Sequence, residues 1–76
     1  IDDIVTNLGG KENIASIDAC ITRLRITVKD SELPASDEVW KSLDAKGVIR
    51  SGNGIQLIYG TQAETYKNQI IEKYQL

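Results

Sequence analysis

Apolar and polar residues alternate most regularly between positions 23 and 29 of the chain. The apolar positions are Leu24, Ile26 and Val28, and the polar positions between them are Arg23, Arg25, Thr27 and Lys29. Successive side chains of a β-strand point to opposite faces, so the pattern predicts a strand with one covered face and one open face. An antiparallel sheet that is packed on one side only contains strands of this kind.

A second strand is predicted immediately before this one, over residues 14–20. Its two faces carry Ile17 and Ala19 on one side and Ser16, Asp18 and Cys20 on the other. A short turn between the two strands would leave Cys20 near the start of the next strand. The thiol could then approach the polar face of that strand.

Two more strands are predicted over residues 48–51 and 55–59. They are joined through a Gly-Asn-Gly sequence at positions 52–54, which is a strong hairpin signal. The second of these strands is apolar at Ile55, Leu57, Ile58 and Tyr59. Because apolar residues stand at both odd and even positions, the pattern does not define which face of this strand is covered.

Helical spacing of apolar residues appears in two further segments, one at the N-terminus and one between the second and third predicted strands. Residues 1–8 form the first, and Gly9 and Gly10 after it can supply a left-handed turn that ends a helix. The second begins after Ser36, a favoured N-cap residue, and is expected to stop at Gly47. Two acidic residues follow Ser36, where the helix dipole favours negative charge.

A third helix is predicted near the C-terminus. Thr61 and Glu64 have the spacing of a capping box, in which each side chain bonds to the other residue's backbone amide. The apolar side of this helix carries Ala63, Tyr66, Ile70 and Tyr74. The order helix-strand-strand-helix-strand-strand-helix predicts an α+β, two-layer sandwich. We expect a four-stranded antiparallel sheet with three helices on one face and the arginine side chains on the other.

Composition limits the classes of function. The 76 residues suit a single domain, and no apolar run is long enough for a membrane span of roughly 20 residues. The net charge of −2 argues against a nucleic-acid partner, which would require a basic surface. The chain has no histidine, so Cys-His and Ser-His catalytic pairs and histidine-ligated metals are excluded. Since it lacks methionine and begins with isoleucine, we expect a segment of a longer protein.

The single cysteine stands just before the arginine strand, in the sequence DACITRLR. Guanidinium groups stabilise a neighbouring thiolate and bind phosphate oxygens through pairs of hydrogen bonds. Arg23 and Arg25 would lie on the same strand face, about 6 to 7 Å apart. Backbone amides of the turn and the Thr22 hydroxyl could add donors around an anion. The spacing therefore indicates a site for a negatively charged group next to Cys20.

Two less specific interpretations remain open at this point. A lone cysteine is often a small buried apolar residue, and arginines on the outer face of a strand are often merely solvated. The domain could then be a non-catalytic binding or regulatory module that uses the Arg23/Arg25 face. A cysteine-dependent phosphatase does not fit, because its arginine stands six residues after the cysteine and position 26 is isoleucine.

The segments GGKENI, DACITRLR and KGVIRSGNGIQLIYG occur here in an order and spacing that resemble the IIB domain of the glucose family of bacterial sugar phosphotransferase systems. The resemblance covers nearly the whole chain, so residues 1–76 are expected to be one IIB domain taken from a longer transporter. One departure is the sequence Leu43-Asp44-Ala45, where the family usually has glycine in the middle. Aspartate tolerates a turn conformation better than most residues.

The resemblance implies a phosphoryl relay. A phosphohistidine on a partner IIA domain would donate its phosphoryl group to the IIB cysteine. The phosphocysteine would then pass the group to a sugar that is bound in a membrane-embedded IIC domain. The domain would lie in the cytoplasm, tethered to the inner face of the bacterial membrane through IIC. No metal or organic cofactor is expected at this step.

The resemblance also implies roles for individual residues. Cys20 would be the nucleophile and the phosphorylated residue, and Arg23 and Arg25 would hold the phosphoryl group. Supporting roles would fall to Thr22, Asp18 and Gln56. The acid and alanine before the cysteine are typical of the branch for glucose, N-acetylglucosamine and maltose-type sugars, so a glucose-type or aminosugar-type substrate is expected. A transcription factor that reads the phosphorylation state would be compatible with this role.

Overall fold

The computed structural model describes all 76 residues and contains three helices and four strands. In chain order the elements are α1 (Asp2–Asn7), β1 (Ile14–Ala19), β2 (Arg23–Val28), α2 (Asp37–Ser42), β3 (Val48–Ser51), β4 (Gly54–Ile58) and α3 (Ala63–Tyr74). Short 3₁₀ turns precede β1 and α3. None of the helices is long and apolar enough to cross a membrane. The predicted element order and the α+β class are confirmed.

The four strands form one antiparallel sheet in the order β1-β2-β4-β3. The arginine strand β2 and the glutamine strand β4 are therefore the two central strands. Their register places Arg25 opposite Asp18 of β1 on one side and opposite Gln56 of β4 on the other. Gln56 in turn lies opposite Ile49 of β3. One row of side chains thus crosses the open face at the level of Arg25.

The core lies between the other face of the sheet and the helices. The alternation predicted for β2 is confirmed, because Leu24, Ile26 and Val28 are buried while the polar residues between them are exposed. The buried apolar side chains that pack together are Ile4, Val5, Leu8, Ile14, Leu24, Ile26, Val28, Trp40, Ala45, Ile55, Leu57, Tyr59, Ala63 and Ile70. All three helices contribute to this cluster, which leaves the arginine face of the sheet uncovered.

The structure also resolves the strand whose covered face was ambiguous. Ile55 and Leu57 are buried in the core, whereas Ile58 is half-buried on the opposite face. Tyr59 is buried too, but it comes after the end of β4, where the chain has left the strand. The predicted strand 55–59 is therefore displaced by one residue, to Gly54–Ile58. Likewise, β1 ends at Ala19, so Cys20 belongs to the turn rather than to the strand.

Several helix ends differ from the predictions. The capping box is wrong, because residues 60–62 form a 3₁₀ turn and α3 begins at Ala63 without a side-chain cap. Ser36 occupies the N-cap of α2, but its side chain makes no capping hydrogen bond. The stop at Gly47 is also wrong, since α2 ends at Ser42 and the chain turns at Asp44, which has a φ of 73°. Aspartate is one of the few residues other than glycine that adopt this left-handed conformation.

Candidate functional site

The β1–β2 hairpin places the cysteine at a tight two-residue turn. The Cys20 amide donates to the Arg23 carbonyl at 2.9 Å, which leaves Ile21 and Thr22 at the tip. The Thr22 carbonyl accepts hydrogen bonds from the amides of Tyr59 (3.1 Å) and Gly60 (3.0 Å). The tip is therefore attached to the chain that follows β4, and its position relative to the sheet is fixed.

Tyr59, one of the residues that hold this turn, has a buried phenol group. Burial raises the pKa of Tyr59 to about 12, and Tyr66 and Asp44 add to the shift in the same direction. The ring also packs edge-on against Tyr66, with 5.2 Å between the centroids. Tyr59 therefore remains neutral at physiological pH; its ring packs in the core while its backbone amide holds the turn.

The thiol is exposed and lies beside one guanidinium group. Nη1 of Arg25 donates to Sγ of Cys20 over 3.5 Å. The interpretation of Cys20 as a small buried apolar residue is therefore wrong. Because the chain has no second cysteine, the thiol has no partner for an internal disulfide and remains free.

The second guanidinium group is held by a neutral side chain. Nη1 of Arg23 donates to Oε1 of Gln56 over 3.1 Å. Neither Arg23 nor Arg25 forms an ion pair, since the two ion pairs of the structure join Arg50 to Asp37 and Lys73 to Asp2. Two full positive charges therefore lie near the thiol without a carboxylate that neutralises them.

An open depression of about 500 Å³ surrounds the thiol. Its lining consists of Cys20, Ile21, Thr22, Arg23, Arg25 and Gln56. The amides of Ile21 and Thr22 make no hydrogen bond to another protein group, so both can donate to an anion in the depression. Exposed turn amides, a thiol and two guanidinium groups together form an arrangement that can accept a group with two negative charges.

The remaining predicted site residues take different positions. Thr22 lines the depression and is exposed. Asp18 does not line it; it contributes to a neighbouring trough of about 310 Å³ that shares Arg25 and Gln56 with the depression. The Asp18 carboxylate accepts a hydrogen bond from the Ala19 amide at 2.8 Å and forms no ion pair with Arg25 across the strands.

Ile21 is the one residue lining the depression that was not predicted from the sequence as a site residue. Its side chain is 83% exposed, the most of any large apolar residue in the chain. An apolar residue at the tip of a two-residue turn cannot be buried in the core. An isoleucine directly after the cysteine in such a turn was therefore the sequence signal for an exposed apolar side chain at the site. Ile21 gives the rim of the depression an apolar element next to its positive charges.

Comparison with known proteins places these features in a family. The family model described as phosphotransferase system, EIIB, matches residues 2–33, which include the cysteine and both arginines of the depression. A solved structure, one domain of the phosphotransferase system IIabc component from Clostridium difficile, superposes with a TM-score of 0.76 at 35% identity. That superposition covers 95% of this chain and 75% of the other.

Curated relatives agree with this assignment. The chain is 46% identical over 68 residues to the glucose-specific EIICBA component of Streptococcus pneumoniae serotype 4, covering 90% of this chain and 9% of the relative. It is 49% identical over 63 residues to the alpha-glucoside-specific EIICB component of Klebsiella pneumoniae, covering 83% of this chain and 12% of the relative.

A phosphotransferase enzyme IIB component of Escherichia coli is 46% identical over 67 residues, which is 88% of this chain and 42% of that protein. The chain therefore spans less than half the length of each of these curated relatives. The family match, the relatives and the superposed domain agree with the resemblance drawn from the cysteine motif. The chain belongs to the EIIB family of the phosphotransferase system.

Proposed function

We propose that this domain relays a phosphoryl group through Cys20, from a phosphohistidine of a IIA domain to a sugar held by a IIC domain. The observation that carries the proposal is an exposed thiol 3.5 Å from a guanidinium group that no carboxylate neutralises. Phosphoryl transfer depends mostly on positioning and on stabilising charge. The depression around Cys20 supplies both without a further catalytic group.

In the first step Cys20 is loaded. The sulfur attacks phosphorus, an S–P bond forms, and the N–P bond to the donor histidine breaks. The thiol proton ends on the imidazole that leaves, so the step needs no other reactant. The phosphoryl group carries nearly two negative charges. The guanidinium groups of Arg23 and Arg25 and the free amides of the turn are the donors available to it.

In the second step the sugar is phosphorylated. A sugar hydroxyl attacks phosphorus, an O–P bond forms, and the S–P bond breaks. The hydroxyl proton is transferred, directly or through water, to the departing sulfur. Negative charge develops on Sγ as the bond breaks, and Arg25 already donates to that atom. An arrangement of fixed charges that stabilises the leaving group is a general means of accelerating such a step.

The partners follow from the same proposal. Residues 1–76 would act as a single B domain within a longer transporter chain, on the cytoplasmic side of the membrane and tethered there by IIC. The relatives from Streptococcus and Klebsiella are named as EIICBA and EIICB components, which supports the pairing with C and A parts. These relatives are named as specific for glucose and for alpha-glucosides, which supports a substrate of the glucose type; an aminosugar is the other candidate, from the sequence before the cysteine.

The replacement Cys20→Ser tests the relay. In a complete system of phosphoenolpyruvate, donor proteins, this domain and membranes that carry the sugar-bound IIC component, we expect sugar phosphate to form with the parent and not with the variant. Ser42→Ala serves as the control, since it changes an exposed hydroxyl outside the depression. Sugar phosphorylation at the parental rate by Cys20→Ser would contradict the proposal.

The alternative of a non-catalytic binding module makes a different prediction. A module that only docks an acidic partner through Arg23 and Arg25 would keep its affinity for that partner in Cys20→Ser, because both guanidinium groups remain in the depression. The relay would lose phosphoryl transfer in the same variant, because the thiolate that attacks phosphorus is absent. Partner affinity and sugar phosphorylation, both measured on Cys20→Ser, therefore separate the two functions.

A further inference from the structure

The two arginines of the depression are held in different ways. Arg25 directs a guanidinium N–H at the reacting sulfur over 3.5 Å. Arg23 is turned towards the neighbouring strand, where its Nη1 donates to Oε1 of Gln56 over 3.1 Å. The site therefore contains one arginine in contact with the thiol and a second arginine that is tethered nearby.

Gln56, which holds Arg23, lies on a central strand of the sheet. Gln56 lies in the middle of β4, which is paired with β2 on one side and β3 on the other. Its direct neighbour on β2 is Arg25, and its side chain is half-buried rather than free in solvent. A side chain supported in this way can fix the direction of a long, flexible arginine.

The chemistry of an amide suits this position better than that of a carboxylate. The amide oxygen accepts one N–H of Arg23 and leaves the other guanidinium donors free for a phosphoryl group. It also leaves the positive charge of Arg23 intact. A carboxylate at the same place would neutralise that charge and would repel the phosphoryl group.

We infer that Gln56 is a positioning residue for the second half of the relay. It holds Arg23 beside Cys20 in an orientation from which the guanidinium binds the phosphoryl oxygens while the S–P bond breaks and the O–P bond to the sugar forms. This inference rests on the proposed relay through Cys20. It adds that the two arginines are not equivalent, and that Arg23 depends on Gln56 for its place.

A double-mutant cycle tests the inference, with loading of Cys20 and discharge to sugar measured separately. We expect Gln56→Leu to slow discharge about tenfold, as is typical when one hydrogen bond to a charged group is lost. In the Arg23→Ala background the same replacement should have no further effect, because the residue that Gln56 positions is absent. A residue that merely stabilised the fold would slow both backgrounds equally.

A second variant gives an independent measurement. Gln56→Glu keeps the shape of the side chain but adds a negative charge, so we expect discharge to be slower than with Gln56→Leu. Thr27→Val is the matched control on the same open face, since Thr27 contacts neither arginine by a hydrogen bond. It should load and discharge like the parent.

The outcomes distinguish the inference from the proposed function. Discharge by Gln56→Leu at the parental rate, equal slowing with and without Arg23, or discharge by Gln56→Glu as fast as by Gln56→Leu would each overturn the positioning role and leave the relay intact. A parent protein that never carries phosphate on Cys20 would overturn the relay and the positioning role together.

Discussion

Arg25 is in contact with the sulfur of Cys20, so its replacement by alanine tests how the two steps of the proposed relay depend on this guanidinium group. During discharge the sulfur leaves with negative charge, and the Arg25 donor at 3.5 Å stabilises that charge as it forms. During loading the sulfur attacks as the thiolate that remains when its proton leaves for the imidazole, and it loses negative charge as the S–P bond forms, so the same contact stabilises the attacking form. We therefore expect Arg25→Ala to slow discharge more than loading.

The size of the effect follows from one hydrogen bond to a charged group. Such a bond contributes about 1.5–3 kcal/mol, and the exposure of Arg25 to solvent favours the lower value. A loss of about 1.5 kcal/mol in the transition state corresponds to about tenfold in rate. Arg25→Lys keeps the charge but not the planar fork of donors, so its discharge rate should lie between those of the parent and the alanine variant.

The assay follows phosphorylated protein by intact mass in two separate experiments. The donor is mixed with unphosphorylated protein to measure loading, and phosphorylated protein is mixed with sugar and IIC membranes to measure discharge. Arg50→Ala is the matched control, because it removes the same charge from an arginine that pairs with Asp37 and does not line the depression. Loss of loading with normal discharge in Arg25→Ala would refute the reasoning.

Two further predictions concern stability. Asn13→Ala should lower the free energy of unfolding by about 2–3 kcal/mol in denaturant titrations, because buried Asn13 bonds to the backbone of Leu8 and Asp30; a change below about 0.5 kcal/mol would contradict this. Hydrogen bonds from Lys73 and Tyr74 lower the pKa of Asp2 from 3.8. The ionised Asp2 carboxylate therefore stabilises the fold above pH 3.8, and this stabilisation is lost as the pH falls through the lowered pKa. In a plot of unfolding free energy against pH, Asp2→Asn should flatten the decline on the acid side. An unchanged decline would contradict this.

Local patterns were sufficient to predict the fold class. The strict alternation in β2 fits only a strand with one buried face, which is what the structure shows. The Gly-Asn-Gly turn joins β3 to β4 as expected. Helix ends were predicted less well, because several local signals compete there. The amide of Gly60 bonds to the Thr22 carbonyl, and the segment 60–62 forms a 3₁₀ turn instead of the first turn of a helix. That contact joins segments far apart in the sequence.

The site shows the same division. Spacing along β2 correctly placed both arginines on one face, near the cysteine at the turn. The partner of each arginine could not be predicted from spacing, because it depends on the register of β2 with β1 and β4. Register places Gln56 within reach of Arg23, and it places Asp18 opposite Arg25 without an ion pair. Sequence spacing predicts which residues share a face, whereas the contacts between them depend on the assembled sheet.

The central claim is that the exposed sulfur of Cys20 carries a phosphoryl group. The most direct measurement is intact-mass analysis of the domain after incubation with phosphoenolpyruvate and phosphorylated IIA donor, followed by peptide mapping. We predict a mass gain of one phosphoryl group that maps to the peptide containing Cys20 and disappears in Cys20→Ser. A gain that maps elsewhere, or that persists at the same level in Cys20→Ser, would contradict the account.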